Sequence, residues 1–205
     1  MGGTAAILLA AGLSKRMGSL KALLPWKDSS LIEYQVRMLL NVPVQQLIVI
    51  LGHKASEIQT SIDNFPAAKF VFNPRYKEGK TTSIIKGFES LTKPVRDILI
   101  LSVDQPRSLL TTRSIVEQHK KSDAPITVPK HKGTGGHPIV LSASLIDEVF
   151  NISEKDHGLK AIVHKHNRAI NYLELQTSEI LIDLNTSTDY EKSLPGINHP
   201  LSDNQ

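Results

Sequence analysis

Between Leu8 and Pro25 the chain reads LLAAGLSKRMGSLKALLP, an apolar run that breaks into a glycine turn carrying Lys15, Arg16 and Lys21. A turn of this kind lets backbone N–H groups approach an anion, and its cationic side chains can neutralise charge on transferring phosphates. A solvated basic loop has the same composition. The spacing of Gly12 and Gly18 excludes the G-x-x-x-x-G-K-[ST] phosphate loop, and Gly12 lacks the partners of a G-x-G-x-x-G dinucleotide turn. The anion is left open by these residues alone.

Three further groups have chemical residues at suggestive places. The run ILILSVDQP ends in Asp104, a carboxylate suited to bind Mg²⁺ as a hard oxygen ligand, although Asp just ahead of Pro106 is also ordinary turn chemistry. In KGTGGHP, Lys132 to Pro138, the glycines allow a ligand close to the backbone, and His137 is either a hydrogen-bond donor or a structural histidine. In LIDLNTSTDY, Asp183 and Asn185 would point the same way on a strand and supply a further oxygen ligand; N-capping by the neighbouring Ser and Thr residues competes with that reading. His164 and His166 are two apart and do not share a helix face, so they make a poor metal pair. Trp26, the sole tryptophan, more often packs than stacks on a ligand.

These residues need elements to hold them. Short apolar runs without polar alternation, Thr4 to Ala10, Gln46 to Gly52, Lys69 to Asn73 and Asp97 to Asp104, have the pattern of strands covered on both faces. Between them lie helical spacings: Ser30 with Glu33 as a capping box before Leu31, Tyr34, Met38 and Leu39; a shorter one marked by Ile58 and Ile62; a third through Ile84, Ile85, Phe88 and Leu91. Further along, Thr111 to Lys121 and Ala143 to Phe150 read as helices. APITVP and HPIVLS read as strands flanking the glycine loop, followed by strands at Ile170 to Leu175 and Glu179 to Leu184 and a last helix capped by Thr188 with Glu191. Strand and helix in alternation predict an α/β fold with a largely parallel sheet, in which ligands bind beyond the carboxyl ends of the strands. The first loop and Asp104 then share one rim.

Composition excludes several classes. The 205 residues are 40% hydrophobic and 21% charged, as expected of a globular chain rather than a disordered one. There is no cysteine, which removes disulfides and thiolate metal sites and suits a reducing cytoplasm. No apolar run approaches the roughly 18 to 20 residues that cross a bilayer, so no membrane role is expected. The formal charge of +4 suits an anionic ligand, but no recognition motif accompanies it, so nucleic acid is not an expected partner. No linker divides residues 1–194, which are expected to form one domain, with 195–205 a polar tail.

Taken in order, the motifs resemble a known family. Leu9-Ala10-Ala11-Gly12-x-Ser14-x-Arg16-Met17-Gly18-x-x-Lys21, then Asn73 with Gly79 and Ser83, then Asp104-Gln105-Pro106, then Gly136-His137-Pro138, are similar to the MobA-like NTP transferases of molybdenum-cofactor synthesis, most of all to their cytidylyltransferase branch. The resemblance runs from about Ala5 to Glu191. It implies a Rossmann-like three-layer α/β/α fold of the nucleotide-diphospho-sugar transferase kind. The implied reaction is transfer of a nucleoside monophosphate, CMP from CTP in preference to GMP from GTP, to molybdopterin, with pyrophosphate leaving.

Carried over by position, the resemblance puts Arg16 and Lys21 on phosphate oxygens as catalytic residues with Asp104. Mg²⁺ is the implied cofactor, held by Asp104 and Asn185. Leu9, Ala10, Ala11, Gly12, Ser14, Asn73, Gly79 and Ser83 fall on the nucleotide side, and Gly136, His137, Pro138, Asp156 and Gly158 on the acceptor side. Molybdoenzyme maturation proteins are implied partners. The chain departs from the family pattern at Ser187, where proline is usual, and at Lys155, where glycine precedes the aspartate. Guanylyl transfer to molybdopterin, nucleotidyl transfer to a sugar phosphate, and a non-catalytic nucleotide- or cofactor-binding module are the competing functions.

Overall fold

The computed structural model describes residues 2–14 and 17–194. Its centre is an eight-stranded sheet formed by β1 (Gly3–Ala10), β4 (Gln46–Leu51), β5 (Ala68–Phe72), β6 (Val95–Ser102), β7 (Ile126–His131), β8 (Thr134–Gly135), β9 (Ile139–Ser142) and β10 (Ile170–Glu174). A small ribbon, β2 (Pro25–Trp26) with β3 (Ser29–Ser30), stands apart from it. The strand order is β10-β7-β9-β6-β1-β4-β5, with β8 on the side of β7. β1, β4, β5 and β6 run parallel, as do β7 and β10, whereas β9 is antiparallel to both its neighbours. β8 is likewise antiparallel to β7.

The continuous apolar runs follow from burial on both faces. Ala6, Leu8 and Ala10 of β1 pack with Val49, Leu99 and Leu101 against α1 (Leu31–Leu40) and α4 (Leu109–Lys121). The alternate residues Ile7 and Leu9 pack with Ile48, Ile50, Ile98 and Ile100 against α3 (Lys80–Glu89), α5 (Ile146–Phe150) and α6 (Leu159–Lys165). Each such side chain, removed from water, stabilises the fold by roughly 1.5–3 kcal/mol before chain entropy is charged against it. The result is the three-layer α/β/α sandwich with a mostly parallel sheet that the sequence predicts. α1 opens with the capping box of Ser30 and Glu33. Trp26 is buried between Tyr34 and Tyr190, a packing role.

Three expectations are corrected. Glu179 to Leu184 is not a strand: Ser178–Leu181 is a 3-10 turn, and its carbonyls are taken by Arg107 instead of by a neighbouring strand. The last helix, α7 (Ser187–Ser193), is capped by Thr186 with Asp189, not by Thr188 with Glu191. α6 lies where no helix was expected. α2 (Ala55–Ser61) is the short helix marked by Ile58. None of the helices is long and apolar enough to cross a membrane among the described residues.

Candidate active site

The parallel strands deliver their carboxyl ends to one rim. There β1 runs into the glycine turn, and its last residues are tied sideways: the Val103 N–H donates to the Leu9 carbonyl at 2.9 Å and the His53 N–H to the Ala11 carbonyl at 3.2 Å. A cleft of about 310 Å³ opens here, lined by Leu9, Ala10, Ala11, Gly12 and Ser14, by Lys21, by Gly79, Lys80 and Ser83 from the start of α3, and by Asp104. The nucleotide-side residues expected from the sequence thus stand together, with one exception. Asn73 is 2% exposed and lies behind the wall, where its Nδ2 donates to the Thr82 and Ser83 hydroxyls at 3.0 Å. Arg16 lies outside the described residues. The Ser14 hydroxyl accepts from the Lys21 N–H at 3.2 Å, which folds the loop back on itself.

At the floor, Lys21 Nζ donates to Asp104 Oδ2 at 3.0 Å and to Asn185 Oδ1 at 3.3 Å. The turn bearing Asp104 is clamped from three sides. From α1, the buried Gln35 amide donates to the Gln105 carbonyl at 2.7 Å; from the chain's end, the Leu184 N–H donates to the Asp104 carbonyl at 2.8 Å; and Gln105 Oε1 accepts from the Ser102 N–H at 3.2 Å. Asp183 is close enough to feel this group: burial first, then the negative charge of Asp104, pushes its carboxyl above the ordinary aspartate value. Two neighbouring carboxylates with an amide oxygen beside them are a hard-oxygen donor set of the kind that holds Mg²⁺ or Mn²⁺ with water completing the shell. Among the described residues no group of three or more His, Cys, Asp or Glu side chains is arranged for a metal, so any site here needs the Asn185 oxygen or a substrate.

A second cleft, of about 480 Å³, adjoins the first and shares Lys80 and Ser102 with it. Its floor is apolar, from Ile84, Ile100, Val128, Ile139 and Val163, while Lys80, Lys160, His137, His157 and Asp183 supply its polar wall. β9 brings His137 here because an antiparallel strand begins where its parallel neighbours end; Ile139 is paired with Ile100. Gly136 sits so near the 180–182 segment that a Cβ would stand 2.4 Å from the Ile180 carbonyl oxygen. Pro138, joined to His137 by a cis bond, is buried beneath.

The acceptor-side expectations divide. Gly136, His137 and Gly158 line this cleft, but Asp156 does not. It is exposed, takes the Ser153 hydroxyl, and faces an outer groove with Glu148 and Lys165. Glu154 faces the cleft instead, with Oε1 accepting from the Thr81 N–H at 2.7 Å and its hydroxyl at 2.9 Å. Gly79, at φ +123°, leaves the space that this carboxylate fills.

Sequence reasoning also missed Arg107. It is 1% exposed and donates to the carbonyls of His137, Pro106, Ile180 and Ile182 at 2.8–2.9 Å, tying the loop after β6 to two of the segments that border the second cleft. Burial pushes its guanidinium down to about 10, still cationic at neutral pH. An arginine right after a Pro in the loop beyond a buried strand was the available signal. Lys80, shared by both clefts, was signalled only by its place after Gly79 at a helix start.

A parallel-sheet sandwich with a glycine turn, cations and carboxylates on one carboxyl-end rim defines a nucleotide-handling α/β protein of the transferase kind. The chain belongs to the MobA-like NTP transferase domain family, whose model matches residues 6–170, and with it to the nucleotidyltransferases. It is 24% identical over 189 residues to the molybdenum cofactor cytidylyltransferase of Escherichia coli K12, covering 90% of this chain and 92% of that one. It is likewise 24% identical over 192 residues to the nicotine blue oxidoreductase of Paenarthrobacter nicotinovorans, covering 88% and 91%. Among solved structures it superimposes on Rv0371c of Mycobacterium tuberculosis H37Rv with a TM-score of 0.82 at 24% identity, over 93% of this chain and 97% of that one. A manganese complex of the same protein gives 0.78 at 21% identity, over 95% and 100%. The family holds relatives named for different reactions, so the site must select among them.

Proposed function

We propose that the protein transfers CMP from CTP to a molybdopterin-type acceptor and releases pyrophosphate. The observation that carries this reading is the meeting of the two clefts: Lys80 and Ser102 wall both, Asp104 lines the first and Asp183 the second. A reaction joining two phosphates needs such a junction. An oxygen of the acceptor's terminal phosphate bonds to the α-phosphorus, the bond from that phosphorus to the bridging oxygen breaks, and pyrophosphate departs with the electron pair. The attacking phosphate is already ionised, so no strong base is required, and positioning with charge neutralisation carries the catalysis.

The chain's residues divide this work. The small side chains of Ala10, Ala11 and Gly12 leave backbone N–H groups near the triphosphate, with Leu9, Ser14, Gly79 and Ser83 completing the nucleotide wall and Asn73 orienting Ser83. Lys21 and Arg16 neutralise phosphate oxygens; Lys80 serves donor and acceptor together. His137 and Gly158 face the acceptor, with Gly136 and Pro138 holding His137 in place. Asp104 and Asn185, with Asp183 beside them, would hold a divalent cation, Mg²⁺ or Mn²⁺, which when bound offsets charge on the phosphates. The manganese complex of the mycobacterial relative and the name of the Escherichia coli one support these choices of metal and base. Ala11 before Gly12, in place of a second glycine, favours CTP over GTP.

Residues 1–194 are read as one working domain, acting in the cytoplasm where nucleoside triphosphates are made, with molybdoenzyme maturation proteins as recipients of the product. The test is pyrophosphate release with each of the four common NTPs and Mg²⁺ or Mn²⁺, with and without molybdopterin. Release requiring CTP and molybdopterin is expected. No release with any NTP overturns the transferase reading, and release with GTP alone overturns the choice of base.

A further inference from the structure

The loop after β6 starts a chain of hydrogen bonds whose polarity is fixed at one end. The Ser102 backbone N–H donates to Gln105 Oε1 at 3.2 Å. A backbone N–H can only donate, so the Gln105 amide must present its nitrogen on the other side. That nitrogen, Nε2, lies 3.1 Å from His137 Nδ1. An amide nitrogen can only donate too, which obliges Nδ1 to carry a lone pair and places the proton of a neutral imidazole on Nε2.

The frame around the ring is rigid. Arg107 Nε donates to the His137 carbonyl at 2.8 Å, and the His137 N–H donates to the Ile180 carbonyl at 3.0 Å. Burial first, with Lys80 and Arg107 next, keeps the imidazole neutral by pushing it down to about 4. Nε2 has no protein partner among the described residues, nor is it one of the buried atoms left unsatisfied. His137 lines the second cleft, so Nε2 opens there.

We infer that Gln105 is a positioning residue, which through Nδ1 holds His137 as an Nε2–H donor to the second cleft, so that the substrate bound there is recognised through an oxygen or ring nitrogen with a free lone pair. The substrate half of this inference rests on the second cleft being the acceptor site. The opposite tautomer would present a lone pair and favour a substrate N–H instead, so Gln105 sets the polarity of recognition at this point.

The test begins with the unmodified, full-length protein labelled with ¹⁵N. Two-bond ¹H–¹⁵N spectra near neutral pH, with His137 assigned by His137→Gln, are expected to show a protonated Nε2 and a bare Nδ1. An Nδ1–H tautomer or an imidazolium overturns the inference whether or not any variant folds. Gln105→Glu, close in shape but unable to donate when ionised, is expected to draw a proton onto Nδ1, and Gln105→Met to leave a mixture of tautomers. Unchanged spectra in both would overturn it too.

The kinetic readout is the split between substrates. Gln105→Met is expected to raise the KM for molybdopterin about tenfold, the loss of one hydrogen bond, and leave that for CTP unchanged. An unchanged acceptor KM, or an equal rise in both, counts against a positioning role. If the wild-type protein releases no pyrophosphate with any NTP, the proposed reaction fails while the spectra still decide the tautomer, and equilibrium binding of molybdopterin replaces KM.

Discussion

The two clefts are built in opposite ways. The first is centred on one turn: Leu9 to Ser14 come directly off the end of β1, and Lys21, the start of α3 and Asp104 close the wall around it. The second is assembled from the starts of α3 and β9, the ends of β6 and β7, the segment around Glu154 to Gly158, and Asp183. Side-chain ties hold it together: the Arg107 guanidinium and the Gln105 amide join the loop after β6 to His137 and the 180–182 segment, and Glu154 joins its segment to Thr81 of α3. On the proposed function, the difference teaches that a site for a common group such as a triphosphate can be centred on the backbone of one turn with a few cations around it, whereas a site for a particular acceptor needs side chains from many segments. The first should be sensitive to charge and close approach, the second to the ties between its segments.

The largest effect should come where the clefts meet. Asp104→Asn is expected to lower pyrophosphate release by about 10²- to 10³-fold, comparable with losing one preorganised transition-state contact, with the thermal midpoint little changed. A rate within threefold of wild type would remove Asp104 from the chemistry. Arg107→Met should destabilise the protein by roughly 3 kcal/mol in urea unfolding, because the carbonyls of Pro106, Ile182 and His137 lose their partner in the interior and that of Ile180 keeps only the His137 N–H. Residual activity should show a weakened acceptor KM before a weakened nucleotide KM; the reverse order would break the contrast.

His137 supplies a pH test. Its folded value lies below its unfolded one, so the unfolded chain takes up the proton first. Stability is therefore retained above about 6.5 and lost progressively as pH falls towards about 4, by about 3 kcal/mol in all. His119, also pushed down by burial, acts in the same direction. The decisive quantity is thus the difference between wild type and His137→Asn, whose unfolding free energy should fall less over that window.

Smaller effects separate the clefts directly. Lys160→Ala should raise only the acceptor KM, by about tenfold, while Lys80→Ala should raise both, each losing a charge-assisted contact. The smallest is Gly12→Ala. No atom lies within 4 Å of the added methyl, so stability should move by less than about 0.5 kcal/mol, yet the CTP KM should rise because the backbone no longer meets the triphosphate. An unchanged KM would place the triphosphate elsewhere.

The same contrast explains what could be read from the residues. The places of Ala10 to Gly12 and of Asp104 were legible because each sits at or near the end of a doubly buried strand, where the parallel sheet dictates a rim, and Lys21 because it closes the turn that leaves β1. Asp156 was placed on the acceptor side because Asp156-His157-Gly158 resembles the family's Gly-Asp-x-Gly, but Glu154 holds the inward position through a bond to Thr81, and no local pattern carries that pairing. The run ILIDL reads as a strand by composition; its carbonyls are satisfied by Arg107 and by the His137 N–H, so it needs no ladder. Thr186 with Asp189 and Thr188 with Glu191 share one spacing, and only the observed helix start chooses between them.

β9 runs against the grain of the sheet, and this has a consequence for how such a protein can change. β1, which leads into the glycine turn, is held between the parallel strands β4 and β6, and β6, which leads to Asp104, is held between β1 and β9, so altering either disturbs the whole floor. The chain reaches His137 and β9 through the exposed β7–β8 hairpin at Lys132 and Gly133, where residues can be added or exchanged without touching β1 or β6. On the proposed function, the acceptor side can thereby be altered through a hairpin that borders it at Gly135 and Gly136, while the nucleotide side keeps its buried strands.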